Sequence, residues 1–283
     1  SGSYTGVIAG SGSLVKSAAG VLMLGGANSF TGGMTLSGGT VLVGNDAAFG
    51  VGTVTISGGL VSSNGVAGRV MGNLLSLSSA ITLGDAVNSG TLTLNGDAAL
   101  TGATTLTIAS EVVSNGVISG STSLTKQGGA TLTLNGVGSY TGATTVGAGS
   151  LTLAGTLSGS TSVDVLSGAF LNVVGGGSLN AATVLGNAGT VNFSTLAQTL
   201  ETLNGAGLLN LNSTALTLNS GSYTGVIAGS GSLVKSEGGV LTLAGANSFS
   251  GGMTLSGGTV LVGNDAAFGV GTVTISGGLV SSN

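Results

Sequence analysis

The chain has 283 residues and a formal net charge of −4, with 4% of its residues charged, 41% hydrophobic and 58 glycines. Proline, cysteine and histidine are absent, which excludes disulfide frameworks, thiol chemistry and histidine-dependent triads. The four basic residues lie far apart in sequence, so there is no basic patch for nucleic acid. No apolar run approaches the roughly 18 residues that a membrane helix needs.

Short alternating segments separated by Gly, Ser or Asn predict β-strands from the amino end onward. In chain order they are VLML (21–24), MTL (34–36), TVLV (40–43), TVTI (53–56) and LVSS (60–63). Leu22, Val41 and Leu60 are spaced 19 residues apart, and Met34 and Val54 are 20 apart. Because the pattern returns every 19–20 residues with no helix between, it predicts an all-β parallel β-helix, or β-solenoid.

The use of glycine and proline agrees with this fold. Glycine supplies the positive φ angles of tight corners, and Asn-Gly pairs at 64–65, 95–96, 135–136 and 204–205 are expected to form such corners. The absence of proline fits a chain in which nearly every backbone N–H joins a ladder.

The sequence also repeats over long distances. Residues 1–64 and 220–283 align without a gap at an offset of 219 and differ at five positions, and residues 7–44 align more weakly with 117–154 at an offset of 110. We therefore predict one full unit, 1–219, made of two diverged halves, about 1–109 and 110–219. Residues 220–283 are predicted to begin the next unit, continuous with the first. We expect the natural chain to continue in both directions, or rods to stack end to end.

The segment 10–59 resembles the autotransporter-associated β-strand repeat. The pattern is carried by Gly10, Gly12, Leu14, Lys16, Leu22, Leu24, Gly26, Asn28, Phe30, Gly32, Leu36, Gly39 and Val41, and it recurs from Lys126 to Gly149 and from Gly229 to Gly258. The resemblance implies a right-handed parallel β-helix in a large exported protein of a bacterium, extracellular or on the cell surface. Stalk segments of this kind usually carry no chemistry.

Two sets of recurring side chains could form sites. We expect Lys16, Lys126 and Lys235 to be solvated at strand ends. We expect Phe30, Tyr140 and Phe249 to be buried against a corner of the coil. The alternative in each case is a binding surface.

The acidic residues and the threonines are candidates for other functions. Asp46 in GNDAAFG is expected to bond its own backbone in a corner, since one carboxylate is too few for calcium. No two acids have the spacing that would stack them on neighbouring coils as a glycosidase pair. The sequence therefore predicts no enzyme, no metal and no cofactor. Thr91/Thr93 and Thr131/Thr133 are isolated outward pairs that leave an ice-binding face as an alternative.

Outward apolar residues form the candidate contact surface. If Leu22 and Leu24 point inward, Val21 and Met23 point outward, and Leu42 does likewise between Val41 and Val43. In the middle copy the equivalent positions hold Thr131, Thr133 and Thr152, so one half of each unit shows an apolar stripe and the other shows threonine. We predict that the stripe is a lateral contact between rods. Its residues are Val21, Met23, Leu42, Val240 and Leu261.

The function predicted from the sequence is a structural repeat of a giant secreted or cell-surface fibre or stalk. Its expected partner is itself, through end-to-end and lateral homotypic assembly into filaments or matrix. The alternative is a binding module, either an adhesin shaft that contacts glycans and surfaces or an ice-binding face.

Overall fold

The computed structural model describes residues 1–283 as 33 β-strands, and it contains no helix that could span a membrane. The chain divides into two compact units, Ser1–Gly142 and Ala143–Asn283. The strand pairings within each unit are parallel. The predicted parallel β-solenoid is therefore confirmed.

The first unit contains fifteen strands. They are β1 (Gly2–Tyr4), β2 (Leu14–Lys16), β3 (Val21–Leu24), β4 (Met34–Leu36), β5 (Thr40–Val43), β6 (Val54–Ile56), β7 (Leu60–Ser63), β8 (Arg69–Met71), β9 (Leu75–Leu83), β10 (Leu92–Leu94), β11 (Ala98–Ile108), β12 (Val112–Ser114), β13 (Ile118–Gly120), β14 (Leu124–Gln127) and β15 (Thr131–Leu134).

These strands stack on three faces. The first face carries β2, β4, β6, the beginnings of β9 and β11, and β13. The second face carries β1, β3, β5, β7, the ends of β9 and β11, and β14. The third face carries β8, β10, β12 and β15. Each turn of the chain thus adds one strand to a face.

The core is a stack of medium-sized aliphatic side chains. Along the first face Met34, Val54 and Leu75 lie on successive turns and are almost completely buried. Along the second face Val41 and Val61 are fully buried in the same way. Burial of each such side chain contributes roughly 1.5–3 kcal/mol before the entropy of ordering the chain is subtracted. The narrow core explains why the chain needs few aromatic residues.

The register of the third turn differs from the expected one. Val41 pairs with Val61, 20 residues on, while Leu60 pairs with Thr40 and is only half-buried. The constant spacing of 19 was therefore wrong by one residue at Leu60. The number of residues per turn is variable, from 17 between Leu216 and Leu233 to 25 between Thr82 and Thr107. Corner loops absorb the difference, since only the strands must stay in register.

The Asn-Gly corners are of two kinds. Gly65 and Gly205 have positive φ angles of 105° and 119°, as expected. Gly96 and Gly136 do not have positive φ. A Cβ atom there would overlap the carbonyl oxygen of Asn73 or of Gly116, on the turn below. At these two positions glycine is required because the backbones of successive turns approach closely.

The second unit contains eighteen strands. They are β16 (Thr144–Val146), β17 (Ser150–Leu153), β18 (Thr156–Leu157), β19 (Ser162–Val165), β20 (Phe170–Val174), β21 (Ser178–Leu179), β22 (Val184–Asn187), β23 (Thr190–Ser194), β24 (Ala197–Gly205), β25 (Leu208–Asn210), β26 (Ala215–Tyr223), β27 (Val226–Ala228), β28 (Ser232–Lys235), β29 (Val240–Leu243), β30 (Met253–Leu255), β31 (Thr259–Val262), β32 (Val273–Ile275) and β33 (Leu279–Ser282).

The second unit also has three faces. They are numbered so that segment 220–283 lies on faces with the same numbers as the equivalent segment 1–64. Its first face carries β18 and β21, and further on the beginnings of β24 and β26, then β28, β30 and β32. Its second face carries β16, β19, β22, the ends of β24 and β26, then β29, β31 and β33. Its third face carries β17, β20, β23, β25 and β27.

Beyond β27 a buried asparagine replaces the third-face strand. Asn247 Oδ1 accepts a hydrogen bond of 2.8 Å from the Ile227 N–H, and its Nδ2 donates at 2.6 Å to the Ala267 carbonyl. Asn28 makes the same two bonds in the first unit, with the Ile8 N–H and the Ala48 carbonyl. The amide thus bridges three turns where the backbone does not form a regular ladder, and it supplies partners for a buried N–H and a buried carbonyl there.

Candidate functional site

The predicted contact residues lie on the outer side of the second face in both units. Val21 and Val240 are 40% and 49% exposed, while Met23, Leu42 and Leu261 are half-buried. Met23 pairs directly with Leu42 on the next turn, which forms a short apolar stripe.

The stripe is limited in length. Leu42 is followed on the next turn by Ser62, which is buried and donates a hydrogen bond to the Asn88 carbonyl. In the second unit Leu261 lies between Thr242 and Ser281. In the first unit the outward side chains Met23 and Leu42 therefore adjoin on neighbouring turns. In the second unit Val240 and Leu261 do not pair with each other.

The threonines that align with the stripe lie on a different face. Thr131 and Thr133 belong to β15 on the third face of the first unit. Thr152 belongs to β17 on the third face of the second unit, where Leu261 is on the second face. The expected replacement of an apolar stripe by threonine along one surface was wrong. The 110-residue offset does not correspond to a whole number of turns, so the second half of the unit begins on the next face.

The recurring lysines do not follow the expectation of solvated strand ends. Lys126 and Lys235 are 1% and 0% exposed, and Lys16 is half-buried. In β14 and β28 the lysine occupies the same inward side as the leucine two residues before it. Strand alternation thus places the side chain inside the coil, and the earlier interpretation was wrong for Lys126 and Lys235.

Each ammonium group is held by backbone carbonyls of a corner. Lys126 Nζ donates to the Gly128 carbonyl at 2.6 Å and to the Ala130 carbonyl at 2.5 Å. Lys235 Nζ donates to the Glu237 carbonyl and, at 3.3 Å, to the Gly257 carbonyl on the next turn. Lys16 bonds the carbonyls of Ala18 and Gly38. In each copy the lysine thus donates to carbonyls of the corner that follows its strand or of the next turn.

Burial changes the acidity of these lysines. Desolvation lowers the pKa of Lys126 to about 8. Burial also lowers the pKa of Lys235, and the nearby Glu237 carboxylate opposes this change. The charged form is disfavoured because the surroundings offer carbonyl dipoles in place of water. Lys126 and Lys235 are thus enclosed by their own corners and offer almost no exposed surface to a ligand.

The recurring aromatic residues are buried, as expected. Phe30, Tyr140 and Phe249 have at most 2% of their surface exposed. They fill the corner of the coil and offer no stacking surface to a ligand.

The corner segment at residue 46 differs from the expected arrangement. Asn45 Oδ1 accepts from the Ala47 N–H at 2.9 Å, so Asn45 is the residue that bonds its own backbone. Asp46 Oδ1 accepts instead from the Val70 N–H, 24 residues on, at 3.1 Å. The assignment of the self-bonded turn to Asp46 was therefore wrong by one residue. No three acidic side chains come together in a group that could hold a metal ion.

The threonine pairs do not form a continuous array. Thr93 on β10 is followed on the third face by Val113 and then by Thr133. Thr91 donates to the Glu111 carboxylate at 3.2 Å. Valine and glutamate thus interrupt the outward threonines on the turn between the two pairs.

Stacked parallel strands, an aliphatic core and carbonyl-bonded corner lysines define the chain as a parallel β-solenoid. A family profile described as the passenger-associated-transport-repeat matches residues 14–43, 87–107, 124–153 and 233–262. The chain therefore carries four copies of this repeat, and repeat and fold together indicate a segment of an autotransporter passenger. No curated protein and no solved structure matches the chain significantly.

The segment 87–107 is a copy that the sequence interpretation missed. Its signal is present at a shorter offset: TLTLNG at 91–96 returns at 131–136, and TGATT at 101–105 returns at 141–145, both 40 residues on. This offset is close to two turns of the solenoid. Alignment at the 110-residue offset could not reveal it.

Proposed function

We propose that the chain is a structural stalk segment of a secreted or surface-exposed bacterial passenger protein, which associates laterally with further copies of itself. The repeat family supports the exported location, since passenger repeats belong to proteins that are secreted or displayed on the surface. The continuous parallel ladders support a mechanical role. The proposal assigns the segment no catalytic function, since the sequence has neither histidine nor cysteine.

The observation that carries the lateral contact is the outward pair Met23 and Leu42. The two side chains lie on neighbouring strands of the second face, next to the exposed Val21. Apolar groups that adjoin on an otherwise nearly uncharged surface favour association, because little electrostatic repulsion opposes the approach of a second copy. Val240 and Leu261 supply a second, weaker contact in the other unit.

The test is the triple variant Val21→Thr, Met23→Thr, Leu42→Thr. Threonine is well accepted in strands, and all three side chains point away from the core, so the unfolding midpoint is expected to change little. Lateral bundles seen by electron microscopy, and the weight-average mass from sedimentation, are expected to fall. Adding Val240→Thr and Leu261→Thr should reduce association further.

A matched control removes the same kind of group elsewhere. Val15, Val51 and Val66 are 62%, 70% and 82% exposed, and their change to threonine lowers surface hydrophobicity without altering the stripe. This control is expected to bundle like the original chain. Bundling that survives the stripe variant, or that falls equally in the control, would show that the stripe is not the contact.

A further inference from the structure

The sequence contains five Asn-Gly pairs, at 64–65, 95–96, 115–116, 135–136 and 204–205. An asparagine that precedes glycine can lose its side-chain amide in water, because glycine has no side chain to hinder the approach of its own backbone nitrogen. The reaction requires the peptide between the two residues to rotate until that nitrogen reaches the asparagine Cγ. Local structure therefore decides which of the pairs reacts.

In four of the pairs the glycine is packed against the backbone of the turn below. A Cβ atom at any of these glycines would overlap a carbonyl oxygen of that turn, so the backbone has little room to rotate. The four glycines are Gly96, Gly116, Gly136 and Gly205.

Hydrogen bonds also hold the asparagine side chains of these four pairs. Asn115 Nδ2 donates to Asn95 Oδ1 at 2.7 Å, and Asn135 Nδ2 donates to Asn115 Oδ1 at 2.8 Å. Asn204 Oδ1 accepts from the Ser222 N–H at 3.0 Å. Each bond must open before the amide carbon can turn toward the glycine nitrogen, so reaction at these sites requires local opening of the structure.

Asn64 and Gly65 are under neither restraint. Asn64 is exposed, and its side chain forms no hydrogen bond with the protein. Gly65 has a φ of 105°, and a Cβ atom there would meet nothing within 4 Å. The Gly65 carbonyl accepts from the Gly90 N–H at 3.0 Å, but this carbonyl belongs to the following peptide. Residues 66–68 are exposed as well. The peptide between Asn64 and Gly65 can therefore rotate without displacing a neighbouring turn.

We propose that Asn64 is a site of spontaneous covalent modification, at which water converts the asparagine to aspartate and isoaspartate. The Gly65 nitrogen attacks Asn64 Cγ and forms a new C–N bond. The Cγ–Nδ2 bond breaks, and the amide leaves as ammonia with the proton from the Gly65 nitrogen. Water then opens the resulting succinimide ring at either of its carbonyls, with no change of oxidation state.

The modified residue would carry a negative charge close to a cation. The Asn64 N–H and Arg69 Nε donate to the same oxygen, the Val43 carbonyl, at 3.0 Å and 3.2 Å. The nearby guanidinium favours the charged form of a carboxylate at residue 64. Because residue 64 lies on the surface, the solenoid is expected to keep its fold after the change.

The test follows conversion at all five asparagines by peptide mass spectrometry while the intact chain is incubated at mildly alkaline pH. In the folded chain Asn64 is expected to convert at least about tenfold faster than Asn115, which reacts only through local opening. In urea the restraints are lost, and the five pairs are expected to convert at similar rates. Equal rates in the folded chain, or faster conversion at another pair, would overturn the proposal.

The variant Asn64→Gln supplies a second measurement. Glutamine keeps the amide but must close a larger ring, which is much slower. Isoelectric focusing of the original chain is expected to show an acidic form that accumulates with time and is missing from this variant. Asn135→Gln is the matched control and should accumulate the acidic form like the original chain. An acidic form that accumulates equally in Asn64→Gln would place the reaction at another residue and contradict the proposal.

Discussion

The inward lysines show how one residue can be misread from local sequence. A charged residue two positions after an inward leucine in a short strand points to the same side as that leucine, so strand alternation places it inside the coil. Charge argues for the surface only if no partner is available within. Here the Gly128 and Ala130 carbonyls supply partners for Lys126, which makes the buried position acceptable.

The lowered pKa of Lys126 gives a pH-dependent stability. Its folded pKa of about 8 lies below the value near 10.4 of an unfolded lysine, so between these values the unfolded chain binds more protons. Stability contributed by this group therefore rises with pH above about 8. From pH 8 to about 9.5 the free energy of unfolding of the original chain is expected to rise relative to that of Lys126→Met.

Denaturant unfolding at several pH values measures this difference. Gln127→Met, a change of the neighbouring half-buried side chain, is the matched control and should run parallel to the original chain. If the curve of Lys126→Met runs parallel too, the lysine keeps its proton throughout and the burial argument fails.

At the scale of the element, the short distance between the backbones of successive turns excludes residues with a Cβ atom from some corner positions. Gly116 is buried, and a Cβ there would overlap the Gly96 carbonyl, although its φ is not in the left-handed region. The neighbouring Asn115 is exposed and forms an amide ladder: it donates to Asn95 at 2.7 Å and accepts from Asn135 at 2.8 Å. Asparagine outside and glycine inside thus hold three turns in register.

Substitution of this glycine tests the close approach. Gly116→Ala is expected to destabilise the chain by about 1–3 kcal/mol, because the added methyl forces successive turns apart. Gly129→Ala is the matched control, since Gly129 is exposed and a Cβ there meets open space. Urea unfolding should separate the two variants. Equal midpoints would mean that the corner can widen without cost.

At the scale of the whole molecule, composition governs how copies meet. With eight acidic and four basic residues in 283, the surface carries too few charges to steer or repel a second copy strongly. Lateral association is therefore expected to change little between about 50 and 500 mM salt, since screening acts only on charges. Sedimentation across this range measures it. A steep loss of association with salt would point to ion pairs instead of the apolar stripe.

The sequence by itself determined the strand alternation and an approximate period of 19–20 residues. Both follow from where apolar and glycine residues recur, and the fold and the burial of Phe30 could be predicted from them. Only the tertiary structure decided on which face each copy lies. Corner loops add or remove residues without changing the strand pattern, so within the first unit 110 residues carry the motif from the second face at Val21 to the third at Thr131.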